Sequence, residues 1–286
     1  MVDGVPSAIR LLKGSRQDVR LQAQTIADFG EQWTRYPDND GFFGSVELFN
    51  DIFNPLLSDR DVQGRRVAEI GAGTGRFVRI LALAGATEVV AVEPSDAFQV
   101  LQANTQAERD RIVYLRTTGD RLPPSGDLDY VFSIGVMHHI PDPAPVAAAA
   151  FRALRPGGTF AIWVYGREGN TFYLAVAGSL WWLTRRLPHG GLDLFVKALY
   201  PAFWVYMTAC RWLPLPLAEY MRRVMRPLTP EKRRVVIYDQ LNPAYAKYYT
   251  RKEAEELLTR QGFVGVRLHH RHGYSWTVTG LTPAAS

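Results

Sequence analysis

The sequence contains little cysteine and no strong excess of either charge. Its single cysteine, Cys210, excludes a framework of disulfides within the chain, and no cysteine and histidine cluster has zinc-binding spacing, so we predict no metal site. The charge-free run from Ala198 to Cys210 is too short to span a bilayer, and Pro201 interrupts it. The first residues show no charged segment leading into an apolar run, so we expect no secretory signal and a cytoplasmic location.

The net charge of +5 is modest, and 47% hydrophobic with 21% charged residues is typical of a globular chain rather than a disordered one. The basic residues matter mainly by position, because three clusters follow residue 166: Arg185-Arg186, Arg222-Arg223 and Lys232-Arg233-Arg234. They form either a solvated face or a surface that attracts anionic lipid or an acidic substrate. No recognition motif accompanies them, so we expect no nucleic-acid partner.

The stretch from Val67 to Phe77 combines a short apolar strand, a glycine-rich loop and the start of a helix. Alternate glycines, Gly71, Gly73 and Gly75, allow positive φ angles and let a ligand lie directly against the peptide plane. The helix that follows presents unpaired N–H groups and the positive end of its dipole to that ligand. This arrangement predicts a nucleotide-type pocket at the carboxyl edge of a parallel sheet, although a tight turn without any ligand would share the same pattern.

Glycine spacing and two acidic residues bear on which nucleotide would bind. The dinucleotide fingerprint G-x-G-x-x-G requires its third glycine where this chain has Arg76. Glu69 lies just before the loop, where a carboxylate would repel a pyrophosphate but suits a ligand with an ammonium group and a sulfonium. Glu93 ends the next strand, 22 positions after Gly71, where a carboxylate accepts hydrogen bonds from both ribose hydroxyls.

These residues resemble motif I and the ribose-binding acid of the class I S-adenosylmethionine-dependent methyltransferases. Three later segments strengthen the resemblance, which covers roughly 100 residues. They are Gly119-Asp-Arg-Leu-Pro123, Gly135-Val-Met-His-His-Ile-Pro-Asp-Pro143 and Leu154-Arg-Pro-Gly-Gly158. The chain resembles the small-molecule type of this family, with a UbiE/UbiG-like motif set.

The resemblance implies an α/β fold, with a Rossmann-like seven-stranded and mostly parallel sheet, a terminal antiparallel hairpin, an N-terminal helical lid and a helical cap insert. Alternating strands and helices from Arg66 onward agree with right-handed βαβ crossovers. We expect a lid over residues 1–60, a cofactor-binding core over 61–165 and 250–286, and an aromatic-rich cap over 166–249. We further expect a helix from Asp18 to Gly30 followed by an aromatic turn, and a cap that prolines divide into short helices.

The resemblance also implies S-adenosyl-L-methionine as the cofactor. Its expected contacts lie in the glycine loop, at the ends of later strands and in the lid: Glu69, Gly71, Ala72, Gly73, Gly75, Glu93, Pro94, Asp120, Arg121, Gly135, Trp33 and Tyr36. Asp120 would meet the adenine amino group, unless it only forms an Asx turn. Aromatic side chains of the lid and cap are candidates for the substrate site: Phe42, Trp181, Trp204, Tyr245 and Tyr249.

His138 and His139 lie on the loop that should face the transferred methyl group, so both are candidate bases. We expect His138 to face the acceptor and His139 to anchor the loop, although a structural role fits both. Tyr245, Tyr248 and Tyr249 are alternative proton acceptors or pocket walls.

We therefore predict a methyltransferase that acts on a hydrophobic small molecule, such as a natural product, a quinone-like ring or a lipid precursor. Two alternatives stay open: a non-methylating S-adenosylmethionine binder or another transferase on this fold, and, with less support, a nicotinamide oxidoreductase. Arg76 and the terminal hairpin argue against the oxidoreductase. The cap would enclose the substrate, while a peripheral membrane contact or an oligomer interface are alternative uses of its aromatic surface.

Overall fold

A computed structural model describes residues 16–171, 173–174, 184, 187, 189–241 and 245–285. Its strands are β1 Arg66–Ile70, β2 Glu88–Val92, β3 Ile112–Leu115, β4 Leu128–Ile134, β5 Leu154–Tyr165, β6 Val264–Arg271 and β7 Ser275–Leu281. Its helices are α1 Arg16–Arg35, α2 Val46–Phe53, α3 Arg76–Leu83, α4 Ala97–Asn104, α5 Ala144–Ala153, α6 His189–Ala209, α7 Ala218–Tyr220, α8 Pro230–Leu241 and α9 Arg251–Thr259. A π-helical turn, Met221–Met225, continues α7.

The seven strands form one sheet in the order β3-β2-β1-β4-β5-β7-β6. The first five strands are parallel, and β7 pairs antiparallel with both β5 and β6. The strand order reverses between β1 and β4, so a crevice opens beyond their carboxyl ends, where ligands of such sheets bind. The predicted fold class, including the terminal hairpin, is confirmed.

Two apolar cores cover the two faces of the sheet. Neighbouring residues of β1 illustrate the alternation, since Val67 packs with α2 and α3 on one face and Ala68 packs with α5 and α9 on the other. Thr250 opens α9 with the predicted capping box, because its hydroxyl accepts from the Glu253 N–H while the Glu253 carboxylate accepts from the Thr250 N–H. These cores hold the ends of β1, β2, β4 and β5 at one rigid edge.

The N-terminal helix is longer than we predicted, because α1 continues through Gly30 to Arg35 and so contains Trp33. Gly30 is a close-approach position within the helix, where a Cβ atom would lie 3.1 Å from the Ser95 Cβ. The sequence-based interpretation of this glycine as a helix end was wrong, since tertiary packing against the residues before α4 uses the missing side chain. The predicted aromatic turn is therefore part of one helix face.

The cap residues from His189 to Leu241 build a third apolar core around buried side chains such as Leu192, Met207, Cys210 and Tyr238. Helix α6 runs for 21 residues and contains Pro201, so the predicted division of the cap into short helices by proline was wrong there. Pro201 and Lys197, one helical turn earlier, are both exposed, so solvent can satisfy the carbonyl that loses its partner.

Two hydrogen bonds connect α1 to the cap. Gln32 donates to Asp239 of α8 at 2.9 Å, and the Tyr36 hydroxyl donates to Asp193 of α6 at 3.0 Å. Among the described helices, none is both long and apolar enough to cross a membrane.

Candidate active site

A cavity of about 510 Å³ lies at the carboxyl ends of β1, β2, β4 and β5 and continues beneath the cap. Its floor is the glycine loop, and α1 contributes a wall through Phe29 and Trp33. Its far end is lined by apolar cap side chains: Leu199, Phe203, Met221, Val224, Met225 and Leu228. One space therefore joins the loop to the cap.

The backbone of the glycine loop is held by the neighbouring strand. The amides of Gly71 and Ala72 donate to the Val92 carbonyl at 2.8 and 3.0 Å. Gly71 has a φ of +78°, and a Cβ atom there would lie 2.3 Å from Val136 Cγ2, so only glycine fits this turn. Trp33 overlies the next glycine, because a Cβ on Gly73 would lie 3.4 Å from its Nε1 atom.

Glu93 is fixed at the end of β2 by three donors. Its Oε2 accepts from the Gly73 amide at 2.7 Å, and its Oε1 accepts from the Ser95 amide at 2.9 Å and the Ser95 hydroxyl at 2.5 Å. Glu93 is 5% exposed and lines the cavity, so its remaining lone pairs are aimed by a rigid frame. Such an acceptor suits a ribose diol.

Glu69 and Arg76 bring opposite charges to the same cavity. Glu69 is 1% exposed, its Oε2 has no hydrogen-bond partner within the described chain, and burial raises its pKa well above the usual range. The Arg76 guanidinium stacks on the rings of Phe43 and Phe77, at 4.1 and 4.4 Å from their centroids, and donates to the Phe43 carbonyl at 3.4 Å. No described carboxylate lies within salt-bridge distance of Arg76, and burial lowers its pKa to about 10.

A polar network occupies the junction between the glycine loop and the cap. The Tyr165 hydroxyl accepts from Gln240 Nε2 at 2.7 Å and donates to Asp239 at 3.3 Å. The Gln240 carbonyl oxygen accepts from the hydroxyls of Tyr173 and Tyr248 at 3.0 and 3.3 Å. Burial, reinforced by Asp239, raises the pKa of Tyr165 well above 10, so this phenol is neutral at physiological pH.

The two adjacent histidines occupy different environments. His139 lines the cavity, and its Nδ1 lies 2.8 Å from the Tyr245 carbonyl oxygen, which can only accept a hydrogen bond. A neutral His139 therefore carries its proton on Nδ1 and a lone pair on Nε2. His138 lies outside the lining, stacked 3.8 Å from the Tyr165 ring centroid, and neither of its ring nitrogens has a partner within the described chain. Burial lowers the pKa of both histidines.

The structure brings most of the predicted site residues to the cavity. Those that line it come from the lid, the glycine loop and the strand ends: Trp33, Phe42, Glu69, Gly71, Ala72, Gly73, Glu93, Pro94, Gly135 and His139. The orientation expected for the histidines is reversed, since His139 rather than His138 reaches the lining. Trp181 lies outside the described residues.

Other predicted residues lie away from the cavity lining. Asp120 and Arg121 are exposed on a 3₁₀ turn, although Thr118 and Gly119 before them line the cavity. Gly75 is the N-cap residue of α3, and Tyr36 contacts the cap instead. Trp204 is half exposed on the outer surface, Tyr245 contributes its carbonyl to His139, and Tyr249 packs in the core beside α9.

Several lining residues carry no family motif in the sequence. Arg76 stands where the dinucleotide fingerprint would have glycine, and none of the family segments includes Tyr165, Asp239 or Gln240. The pair Asp239-Gln240 has a visible signal, because it interrupts an apolar helical stretch, Val235 to Leu241. Arg271 also lines the cavity. Neither Tyr165 nor Arg271 carries such a signal, since each ends an ordinary strand.

The cavity fits the cofactor that the motifs imply. Glycine backbone forms a cradle that a Cβ atom would fill, Glu93 is preset as a diol acceptor, and the unpartnered Glu69 oxygen matches an ammonium group. Within the described residues, no group of three or more histidine, cysteine or acidic side chains is arranged to hold a metal ion.

Comparison with known proteins agrees with this fit. A family model described as a methyltransferase domain matches residues 68–162. The ubiquinone biosynthesis O-methyltransferase of Methylococcus capsulatus is 28% identical over 171 residues, which is 59% of this chain and 72% of the relative. The protein of the same name from Escherichia coli is 25% identical over 203 residues, covering 69% of this chain and 84% of the relative.

Solved structures share the fold over nearly the whole chain. Magnesium protoporphyrin IX methyltransferase from Synechocystis, with bound S-adenosylhomocysteine, has a TM-score of 0.53 at 14% identity, covering 93% of this chain and 99% of that one. The 1,6-didemethyltoxoflavin-N1-methyltransferase of Burkholderia thailandensis has a TM-score of 0.53 at 15% identity, covering 99% and 93%. The solved structures add the shared fold. The methyltransferase-domain match and the curated relatives, taken with the motifs and the sheet order, identify the chain as a class I S-adenosylmethionine-dependent methyltransferase, with S-adenosylmethionine as its cofactor.

Proposed function

We propose that this enzyme methylates a hydrophobic small molecule that is held beneath the cap. The observation that carries the proposal is the continuity of the cavity, which begins at the glycine loop and ends among apolar side chains of α6, the π-helical turn and α8. Such a space suits a cofactor at one end and an apolar acceptor at the other. The O-methyltransferases of ubiquinone biosynthesis among its relatives make a quinone-like ring one acceptor class to test.

We assign the cofactor contacts from charge and geometry. Glu93 would accept from the ribose hydroxyls, and the loop backbone from Gly71 to Gly73 would lie against the ligand. The Glu69 oxygen and the Arg76 guanidinium, neither of which has an oppositely charged partner at salt-bridge distance among the described residues, match the ammonium and carboxylate groups of an amino acid, which is the far end of S-adenosylmethionine. Trp33 would cover the ligand from the lid.

The acceptor would be aligned by the network around Tyr165, Asp239 and Gln240. S-adenosylmethionine, when bound, supplies an electrophilic methyl group, so the protein must orient the acceptor and exclude water. If the acceptor is a hydroxyl group, we propose that His139 Nε2 takes its proton. The Tyr245 carbonyl fixes the required tautomer, and the charge of Asp239 favours the imidazolium that forms.

The division into a lid, a core and a cap remains a proposal, and contacts between them support it. Asn39 of the N-terminal segment exchanges two hydrogen bonds with Thr74 of the glycine loop, at 2.6 and 3.0 Å. The contacts from α1 to Asp239 and Asp193 link the same segment to the cap. Through these contacts, the lid and the cap would close together around bound ligands. Asp120, Arg121 and Gly75 stay predicted contacts that the cavity lining does not support.

The experiment is transfer of a labelled methyl group from S-adenosylmethionine to matched acceptors, phenols or quinols with and without a prenyl or alkyl tail. We expect kcat/KM to increase by about fourfold for each methylene buried beneath the cap. Equal activity toward tailless acceptors would contradict a hydrophobic acceptor. A non-methylating binder would be stabilised by S-adenosylhomocysteine in thermal unfolding and yet transfer nothing across the whole panel.

We further propose a cytoplasmic enzyme that meets a membrane surface peripherally, because apolar acceptors of this class partition into lipid. An oligomeric assembly stays an alternative use of the exposed cap surface. Sedimentation in the presence and absence of vesicles separates these two possibilities.

A further inference from the structure

One face of the cap exposes large apolar side chains to solvent. Leu194, Trp204, Val205, Trp212 and Leu213 are between 50% and 79% exposed. They lie along the outer side of α6 and in the turn that follows it, and we call this set the outer cap face. Because five exposed apolar side chains fall within twenty residues, they form a patch and are not scattered singly over the surface. Apolar patches of this kind mark interaction sites.

The same helix lines the cavity with its other side. Leu199 and Phe203 of α6 face the cavity, while Leu194 and Val205 face solvent. The helix therefore separates the proposed acceptor space from the outer cap face by its own thickness. Whatever contacts this face lies next to the cap end of the cavity.

The unpaired charge near the outer cap face is positive. Residues 194–218 contain Lys197 and Arg211 but no aspartate or glutamate, and Lys197 pairs with Asp193 at 2.7 Å, one helical turn earlier. Behind Trp204 lies a hollow of about 200 Å³, lined by Trp204, Met207, Thr208, Arg211, Arg226 and Arg233. No described carboxylate forms a salt bridge with these three arginines, whereas the nearby Arg222 and Arg223 both pair with Glu219.

Two of the three arginines around this hollow contact neighbouring groups. Arg233 donates to the carbonyls of Met225 and Arg226 at 2.9 and 2.7 Å, and the Arg211 guanidinium lies 5.5 Å from the Trp212 ring centroid. Three guanidinium groups without acidic partners suit a phosphate group, and exposed tryptophans beside them suit the interface between headgroups and acyl chains.

We infer that the outer cap face docks the enzyme on a bilayer that contains anionic phospholipids, with a lipid phosphate seated between Arg211 and Arg226. Trp204, Trp212 and Leu213 enter the interfacial layer, and α6 lies along the surface without crossing it. If the acceptor is hydrophobic, as proposed above, docking places the cap end of the cavity against the lipid in which the acceptor dissolves. The docking itself does not depend on methyl transfer.

The test is vesicle flotation with phosphatidylcholine alone and with added phosphatidylglycerol. We expect the wild-type protein to float with the anionic vesicles and salt to weaken that binding. The double variant R211Q/R226Q should lose about fivefold in affinity for each arginine removed, and W212S/L213S should lose about tenfold on the same vesicles. All variants should keep wild-type thermal stability and S-adenosylhomocysteine affinity.

Matched controls come from elsewhere on the surface. Leu83 is 61% exposed on α3, and Arg109 is exposed with no described carboxylate at salt-bridge distance, so L83S and R109Q should bind vesicles like the wild type. Equal losses in these controls, or no flotation of the wild type, would overturn the inference. Self-association that W212S/L213S abolishes without lipid would assign the face to a second copy instead. Competition by inorganic phosphate with no effect of W212S/L213S would assign the hollow to a soluble anion.

Discussion

The two ends of the cavity are built in different ways. The end that we propose for the cofactor uses backbone groups and a few side chains from short contiguous segments, with Glu93 held by the amides of Gly73 and Ser95. The end that we propose for the acceptor uses side chains from distant parts of the chain, with Tyr165, Gln240 and Tyr248 meeting in one network. The difference teaches that a motif can encode cofactor binding, whereas acceptor recognition depends on how the insert folds.

The largest expected effect is on the acceptor side. His139→Gln removes the basic ring nitrogen that would accept the proton, so turnover should fall by about 100-fold or more for a hydroxyl acceptor. S-adenosylhomocysteine affinity should stay unchanged in titration calorimetry, and the acid limb of the kcat–pH profile should disappear.

His138→Gln and His270→Gln provide the contrast for this prediction. His138 is buried behind Tyr165, and His270 stacks on Trp276 away from the cavity, so both variants should keep kcat even where stability falls. If His139→Gln kept wild-type turnover, alignment of the acceptor with the methyl group would account for the rate and His139 would not act as a base. A turnover defect confined to His138→Gln would restore our original expectation.

The next effect tests the backbone at the cofactor end. Gly71→Ala introduces a Cβ atom 2.3 Å from Val136 at a positive φ, so it should cost about 3 kcal/mol of folding free energy in urea unfolding and weaken cofactor binding. Gly64→Ala is the matched control, because Gly64 also has a positive φ but no atom within 4 Å of its Cβ position. Equal losses in both variants would mean that strain alone, and not the approach to Val136, determines the effect.

Glu93→Ala should weaken S-adenosylhomocysteine binding by about 1–3 kcal/mol, because the ribose hydroxyls and the Gly73 amide lose their acceptor. Titration calorimetry measures the change. Glu88→Ala, at the half-buried start of β2 where the carboxylate pairs with Arg66, should not change this affinity. Unchanged affinity in Glu93→Ala would remove this residue from the proposed cofactor site.

The smallest effect is a pH dependence. Burial raises the pKa of Glu69 well above its usual value of 4.5, whereas a bound ammonium group favours the carboxylate. Binding then releases a proton, so S-adenosylhomocysteine affinity should increase with pH between the usual and the raised pKa, by at most about tenfold per unit.

Stability of the ligand-free protein should change in the opposite direction over the same pH window. The folded state retains a proton that the unfolded chain has already released, so stability decreases as pH rises through the raised pKa of Glu69. Glu69→Gln should flatten both profiles. A pH-independent affinity in the wild type would show that Glu69 does not meet the ammonium group.

Several errors in the sequence-based predictions share one physical cause. Gly30 and Pro201 disfavour helices locally, yet α1 and α6 continue through them because Gly30 permits close packing and Pro201 faces solvent. The histidine pair was assigned in the reverse order because adjacent residues on a 3₁₀ turn point in different directions. Local sequence does not specify which of them meets the cavity.

The sequence by itself determined the alternation of strands and helices, the glycine loop and the acid at the end of β2, since these follow from hydrophobic periodicity, glycine conformation and contiguous motifs. The family resemblance implied the seven-stranded sheet and its terminal hairpin. Only the tertiary structure decided that Arg76 is buried with no described carboxylate at salt-bridge distance, that His139 lines the cavity and that Tyr165 meets Asp239. Those contacts join residues from distant segments, and their strength depends on burial, which packing of the cap against the sheet creates.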